Sequence, residues 1–323
     1  MRVAVIRGGR SSEHPVSLRS GAAVAEGLRE AGHETVDVVI EPEGRWVLGE
    51  GGEDVELRAA GGLLGCDAAF PVLHGPFGED GTVQGLLECL DVPYVGPGVL
   101  AAATTIDKLV FKRLLRDAGI AQVDFCAAGD DGWRERVEAM GFPVWVKPSR
   151  LGSSVGIAKV ASAADLDAAV AEAASHDPRV IIEAHCDALE VECSVMGNDE
   201  VEVSLPGQVT IEADWYDYEA KYVPGGMELI VPAPIGEEAT ARLRELAERV
   251  YRLCGCTGLA RCDFFVTDDG QVLVNELNTI PGFTETSVFA KLFEESGVPY
   301  ATVCDRLVTL ALERHETERG YKY

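Results

Sequence analysis

Positive charge is scarce in this chain. Its 28 Lys and Arg stand against 54 Asp and Glu, for a net charge of −26 at pH 7. Nucleic acid and anionic membranes are themselves negative, so this balance disfavours both as partners. Any phosphate the protein binds must be met by a local basic cluster or a metal. Cys-x-x-Cys spacing is also missing; of the nine cysteines, Cys254 and Cys256 lie closest together. An odd count with no export signal reads as reduced thiols in a cytoplasmic protein. The first residues pass straight into the strand-like Arg2-Val3-Ala4-Val5-Ile6, without the apolar run of a signal peptide. No stretch approaches the uninterrupted apolar length of a transmembrane helix. What is present is 323 residues at 47% hydrophobic, enough for two or three domains with ample cores.

The most informative stretch is Arg261 to Ser287. Two apolar-rich runs flank Asp268-Asp269-Gly270, and Asp-Gly suits a tight primed turn, so the segment predicts a β-hairpin. With Asp269-Gly270 as a two-residue loop, Asp263 falls opposite Glu276 and Arg261 opposite Asn278. Side chains alternate with period two, which puts these four groups on one face. Opposed like charges destabilise a sheet, so Asp263 and Glu276 call for a cation between them. Oxygen ligands with an Asn amide nearby favour a hard ion, Mg²⁺ or Mn²⁺. A slipped register would turn the carboxylates to water instead; the surrounding Phe264, Phe265, Val266, Val272, Leu273, Val274 and Leu277 argue against it.

Earlier in the chain, Val3–Ile6, a helix near Val16–Ala31 and Val36–Ile40 make a βαβ unit with a parallel sheet. A Gly- and Glu-rich segment, 41–65, has room for a short hairpin. A strand over Ala68–Leu73 and a helix over Gly81–Leu90 complete a small doubly wound α/β domain. Gly96-x-Gly98-x-x-Ala101 matches a dinucleotide fingerprint, but the run before it is short and contains Pro93, so a loop into a helix fits better. Lys108–Ala118 reads as a helix opening a second domain. Strands at Val123–Ala127 and Pro143–Val146 follow, with a helix at Trp133–Met140 between them. The loop Lys147 to Gly156 joins two strands; its Gly and Ser groups suit either a phosphate nest or a plain solvated turn. It is no Walker loop, since the Lys precedes the glycines. After a helix at Asp165–Ala174 come strands at Val180–Ile182, Glu190–Met196 and Val201–Leu205. The aromatic, charged run Asp214 to Tyr222 is either a lid over a ligand or a loop packed by its own rings. A helix at Glu237–Leu253 leads into the hairpin, and two helices finish the chain, with 313–323 as a solvated end.

Five motifs stand in order: Gly8-Gly9-Arg10-Ser11-Ser12-Glu13-His14 with Val16-Ser17; His74-Gly75 with Gly78-Glu79-Asp80-Gly81; the Lys147–Gly156 loop; Tyr216–Tyr222; and Asn275-Glu276-Leu277-Asn278-Thr279 with Pro281-Gly282. Together they give a chain that resembles the D-alanine–D-alanine ligases of the ATP-grasp superfamily over nearly its whole length. The resemblance implies a three-domain α/β ATP-grasp fold, divided at 1–103, 104–188 and 189–323, with a doubly wound parallel sheet in the first domain. It implies ATP-dependent joining of two D-alanines through an acyl phosphate, for peptidoglycan precursors, in a cytoplasmic homodimer. It also assigns residues. Asp263, Glu276 and Asn278 match the ligands of Mg²⁺ or Mn²⁺, as two ions, while Arg261 and the Gly282 N–H match the oxyanion stabilisers. Lys108, Lys147 and Lys221 match phosphate lysines, with Ser154 in the same glycine loop. Glu183 and Glu190 match positions at the adenosine, and His185-Cys186 stands where an aromatic-Leu pair often borders adenine. Glu13 matches the carboxylate that meets the first D-alanine's ammonium, with Ser153 and Tyr222 as its partners. His74 lies beside that substrate, Ser287 at the second carboxylate, and Val288 where Leu is common. Alone, Glu13 reads as a helix-start acid and His74 as structural; the resemblance reverses both. Other readings are a ligase of the same mechanism with D-serine or an antibiotic-pathway acceptor, and a paralogue that only binds nucleotide.

Overall fold

A computed structural model describes residues 1–152, 155–211 and 227–322, with their strands in three sheets. The first sheet is built on β1 (Arg2–Gly8). It pairs in parallel with β2 (Glu34–Ile40) on one side and β4 (Ala68–Pro71) on the other. The segment after β2 returns as β3 (Trp46–Leu48), an antiparallel edge strand, so the order is β3-β2-β1-β4. Helix α1 (His14–Glu30) makes the crossover from β1 to β2 and stops before Gly32, whose φ of 87° suits glycine. Strand alternation divides the core. Val3 and Val5 pack with Val24 and Leu28 of α1, whereas Ala4 and Ile6 pack with Leu87 and Leu90 of α2 (Thr82–Leu90). Because β1 has its partners on opposite sides, a crevice opens at the carboxyl ends of β1 and β4, the usual ligand position in such sheets.

Helices α3 (Val99–Ile106) and α4 (Lys108–Asp117) lead to the second sheet. The Gly96–Ala101 motif is thus a loop entering a helix, preceded only by a single bridge from Tyr94 to Ala69. The second sheet is antiparallel, in the order β5 (Phe125–Ala127), β8 (Val180–Ala184), β6 (Val144–Pro148), β7 (Ala158–Val160). Helices α5 (Trp133–Met140) and α6 (Ala163–His176) cover it.

The third sheet runs β12-β11-β9-β13-β14, with β10 (Val201–Val203) also on β9. Here β9 is Leu189–Gly197, β13 Gly258–Val266 and β14 Val272–Asn278. Strands β11 (Gly207–Ile211) and β12 (Met227–Ile230) were not distinguished in the sequence. One face of the sheet packs on the helix Glu237–Leu253 through Val191, Cys193, Ala260, Cys262, Phe264, Val272, Val274 and Leu277.

Two expectations are corrected. The β13–β14 turn is not a two-residue loop: the Thr267 N–H donates to Gln271 O at 3.0 Å, leaving Asp268, Asp269 and Gly270 between them. Only Gly270 has positive φ there, at 82°, whereas a primed turn of type I′ would need two such residues. The pairs are consequently Val266 with Val272 and Phe264 with Val274, one step out of the expected register. A β-bulge then restores Asp263 opposite Glu276 and Arg261 opposite Asn278. It also reverses the facing of β14. Val272 and Val274 point to the core before it and Leu277 after it, which turns Glu276 and Asn278 to the other side.

The second correction concerns the C-terminal end, which is not a loose solvated tail. The helix Tyr300–Arg319 packs Val303, Leu307 and Val308 into the core shared with β1 and α1. Its Arg314 is buried, donates to the carbonyls of Gly96 and Tyr94 and to Thr257 Oγ1, and lies over the Tyr94 ring at 4.2 Å. His315 and Arg319 both reach Asp91. Among the described residues, no helix is long and apolar enough to cross a membrane. We predict that Arg314→Ala lowers stability by about 1.5–3 kcal/mol, the worth of hydrogen bonds to a charged group. A urea midpoint unchanged from the parent would refute this closing role.

Candidate active site

The face of the third sheet opposite its core carries a row of carboxylates. Glu192 on β9 and Glu276 on β14 both lie opposite Asp263 on the central strand β13. Such proximity of like charges is costly, and cations of the protein offset it. Arg261 donates to both oxygens of Asp263, from Nε at 2.7 Å and Nη2 at 2.8 Å, and its Nε lies 2.7 Å from Glu192. Asn278 Nδ2 donates to Asp263 at 2.9 Å. Lys108 Nζ lies 3.6 Å from Glu276 and donates to Leu151 O at 2.9 Å. The hairpin therefore folds with its charges compensated by side chains. Among the described residues, no group of three or more His, Cys, Asp or Glu is placed to hold a metal. The residues expected to hold a cation are two carboxylates and an amide. Asp263 and Glu276 line one cavity and Asn278 the adjoining one, and their oxygens suit a hard divalent ion.

Across the cleft, a second ion cluster sits under the second sheet. Glu183, buried at the end of β8, meets Lys147 Nζ at 2.6 Å and Lys112 Nζ at 3.3 Å. Burial by itself would raise the Glu183 pKa, but Lys112 and then Lys147 outweigh it and hold the carboxyl down to about 2. Burial also opposes the charge on Lys147, yet Glu183 prevails and raises its pKa. On Lys112 burial prevails and lowers it. These residues, with Lys108, Trp145, His185, Cys186 and Glu190, belong to the surroundings of a cavity of ≈ 460 Å³ between the second and third sheets. At one end of it, Trp145 Nε1 donates to His185 Nδ1 at 3.1 Å.

A second cavity, of ≈ 610 Å³, opens at the carboxyl ends of β1 and β4. Glu13 enters it from the turn before α1, and His74 and Glu79 from the loop after β4. Gly282, Ser287 and Val288 come from the loop after β14 and the helix Val288–Glu295. Both ring nitrogens of His74 are engaged. Nδ1–H donates to Ile280 O at 3.0 Å, so Nε2 accepts from Ser20 Oγ at 3.2 Å. Burial lowers the His74 pKa, keeping the ring neutral, although Glu13 pulls the other way. Burial and the Glu13 charge push Glu79 up to about 8, so at neutral pH it adds little negative charge beside Glu13. Gly75 lies against Glu13: a Cβ there would come within 2.6 Å of Glu13 Oε2. Ser287 Oγ accepts from the Thr284 N–H at 2.9 Å, just before the helix begins.

The two cavities share Lys108, Leu151, Gly152, Arg261 and Glu276 as a common wall. Glu13, His74, Gly282, Ser287 and Val288 thus gather in one cavity, and Lys147, Glu183, His185, Cys186, Glu190 and Asp263 in the other, with Asn278 lining the first. Ser153, Ser154, Lys221, Tyr222 and the rest of the aromatic run lie outside the described residues. The sequence reading overlooked the positions of three residues. Glu192 follows Glu190 by two along β9, so alternation alone put it on the same face. Lys112 follows Lys108 by four on α4, one turn along the same helix face. Glu79 stood within a quoted motif but had no role.

Known proteins resemble this chain over nearly its whole length. The family model described as the D-ala D-ala ligase C-terminus matches residues 114–309, and that of the D-ala D-ala ligase N-terminus matches 2–61 and 56–97. The D-alanine--D-alanine ligase of Deinococcus radiodurans is 44% identical, over 97% of this chain and 98% of its own length. That of Geobacillus kaustophilus is 40% identical, over 100% and 97%. Among solved structures, the D-alanine-D-alanine ligase from Coxiella burnetii superposes with a TM-score of 0.89 at 32% identity, covering 99% of this chain and 96% of its own. The VanG D-Ala:D-Ser ligase from Enterococcus faecalis superposes at 0.86 with 33% identity, covering 96% and 99%.

Glu183→Gln should cost about 3–5 kcal/mol at neutral pH, because it leaves Lys112 buried without its counter-charge. The folded pKa of Glu183 lies below its ordinary 4.5, so its stabilisation is full above that value and disappears as pH falls towards about 2. Denaturation curves from pH 7 to pH 2 should therefore converge for the variant and the parent at the acid end. A constant gap across that range would contradict the ion cluster.

Proposed function

Because this chain belongs to the D-alanine–D-alanine ligase family, which joins two D-alanines at the expense of ATP, we propose that its two adjoining cavities hold the nucleotide and the amino acids of that reaction. In it, a D-alanine carboxylate takes the γ-phosphoryl group of ATP, giving an acyl phosphate and ADP. The amine of a second D-alanine then attacks the acyl carbon and phosphate leaves, yielding D-alanyl-D-alanine for peptidoglycan synthesis. The observation that carries the assignment is the shared wall of Lys108, Leu151, Gly152, Arg261 and Glu276, where the phosphate end of one cavity meets the amino-acid end of the other. Phosphoryl transfer needs little covalent help from the protein; it needs position and positive charge.

The residues divide the work accordingly. Lys147 and Lys108 meet the phosphates, each steadied beforehand by a carboxylate, Glu183 and Glu276 respectively. Glu190, His185 and Cys186 border the nucleoside. A divalent cation, Mg²⁺ or Mn²⁺ and two of them by the family resemblance, would be held by Asp263, Glu276 and Asn278 and would offset the charge of the transferring phosphoryl group. Glu13 receives the ammonium of the first D-alanine in a cavity where the neighbouring Glu79 is largely protonated. Arg261 and the Gly282 N–H stabilise the oxyanion that forms as the amine attacks. Ser287 meets the second carboxylate, with Val288 beside it. Ser153, Ser154, Lys221 and Tyr222 complete the set on the strength of the motifs alone. We assign domains at 1–103, 104–188 and 189–323; the first sheet falls wholly in the first range, the second in the second and the third in the last. A cytoplasmic homodimer is the assembly proposed, on the resemblance and the reduced cysteines.

The test is ADP release by the purified protein with and without D-alanine, followed by product mass across D-alanine, D-serine and D-lactate. Release dependent on D-alanine, with the dipeptide as product, is expected; a D-alanyl-D-serine product would move the assignment towards the VanG-like acceptor. Glu276→Gln should abolish ADP formation, because a neutral amide cannot hold a cation against the phosphates. Near-normal turnover of that variant at saturating Mg²⁺ would refute the metal assignment.

A further inference from the structure

The loop after β4 grips a single peptide unit of the loop after β14. His74 Nδ1–H donates to Ile280 O at 3.0 Å, and the Ile280 N–H donates to Glu79 Oε1 at 3.3 Å. The other Glu79 oxygen accepts the Gly75 N–H at 2.7 Å, so the same carboxyl also fastens its own loop. One end of this fastening is Gly75, whose Cα abuts Glu13; the other is Ile280, two residues before Gly282. Gly282 in turn lies close to the second-substrate side: a Cβ there would come within 3.2 Å of Ser287 Oγ. Thr279 and Ile280 are buried, and Ile280 is held by His74 and Glu79 from the loop after β4.

From this geometry we propose that Glu79 is a positioning residue: with His74 it holds the Ile280 peptide and so sets where the Gly282 N–H stands relative to Glu13. The proposal rests on the functional reading above, in which Gly282 faces the reacting acyl group. Glu79 spans the two walls of the amino-acid cavity, and among the described residues its two hydrogen bonds both go to backbone N–H groups. Its effect on the reaction is therefore indirect. An error of position of about 1 Å in such a group can cost about 10²-fold in rate, and the loss appears where the oxyanion forms rather than where ATP binds.

The experiment compares wild type with Glu79→Gln and Glu79→Asp. Gln keeps the shape but presents an NH₂ group to one of the two N–H donors; Asp keeps the carboxyl but withdraws its oxygens from Ile280. Three quantities are measured: kcat, the KM for ATP, and the Ki of a phosphinate that mimics the tetrahedral intermediate of dipeptide formation. Both variants should lose about 10–100-fold in kcat and bind the phosphinate weaker by a similar factor, with the KM for ATP within about twofold of wild type. Binding curves refer to the folded fraction, so a merely structural role would lower the amount of active protein and leave Ki and KM unmoved. That pattern, or a kcat within twofold of wild type in both variants, would overturn the role of Glu79 while leaving the ligase reading intact. Absence of D-alanine-dependent ADP release in wild type would overturn both.

Discussion

The site depends on which way the side chains of β13 and β14 face. A strand can present a residue to one side only, so the polar groups of Arg261, Asp263, Glu276 and Asn278 reach the cleft only if both strands agree in phase. A phase of β14 kept unbroken from the turn onward would not achieve this. Val272 and Val274 enter the core in phase with Phe264 and Val266, and the bulge beyond Val274 shifts the phase so that Leu277 enters instead. One inserted residue thus satisfies the apolar packing of the hairpin's outer half and the polar requirements of its inner half. Without it, Glu276 would have been driven into the core against the helix Glu237–Leu253.

Once those carboxylates are gathered, the shortage of basic residues becomes the governing constraint. A chain of net charge −26 places Lys108, Lys112, Lys147 and Arg261 around one cleft, each against a carboxylate. Ion pairs of this kind add little to stability by themselves, because desolvation offsets attraction. What they supply is orientation. The cations of the cleft are held in place by these pairs, and the acidic row across β9, β13 and β14 is kept close without unfolding the sheet.

The three sheets are also tied together by contacts distant in the chain. The C-terminal helix completes the core under β1 and sends Arg314 to the carbonyls of Tyr94 and Gly96. The loop after β4 takes hold of Ile280. These two attachments bring the cavity at the end of β1 and β4 against the end of the hairpin, so that Glu13 and Gly282 line one cavity although they come from different sheets.

The sequence by itself determined the order of most strands and helices, β11 and β12 excepted, together with the parallel start of the first sheet and the polar face of β13. These follow from periods of two and 3.6 that each segment carries within itself. Its motifs also singled out Glu13, His74, Lys147 and Glu276 as candidate site residues. Thr267 and Gly270 select the three-residue turn locally, but the tertiary structure alone decided the compensating bulge, since core packing sets the phase of Leu277. It alone decided that 313–319 is a docked helix end, because Arg314 finds its partner carbonyl at Gly96, 218 residues away. The Lys112–Glu183 pair and the grip of His74 and Glu79 on Ile280 have the same origin. Local patterns state what a residue can do along its own element; which buried charge or carbonyl it meets is settled only when the sheets close on one another.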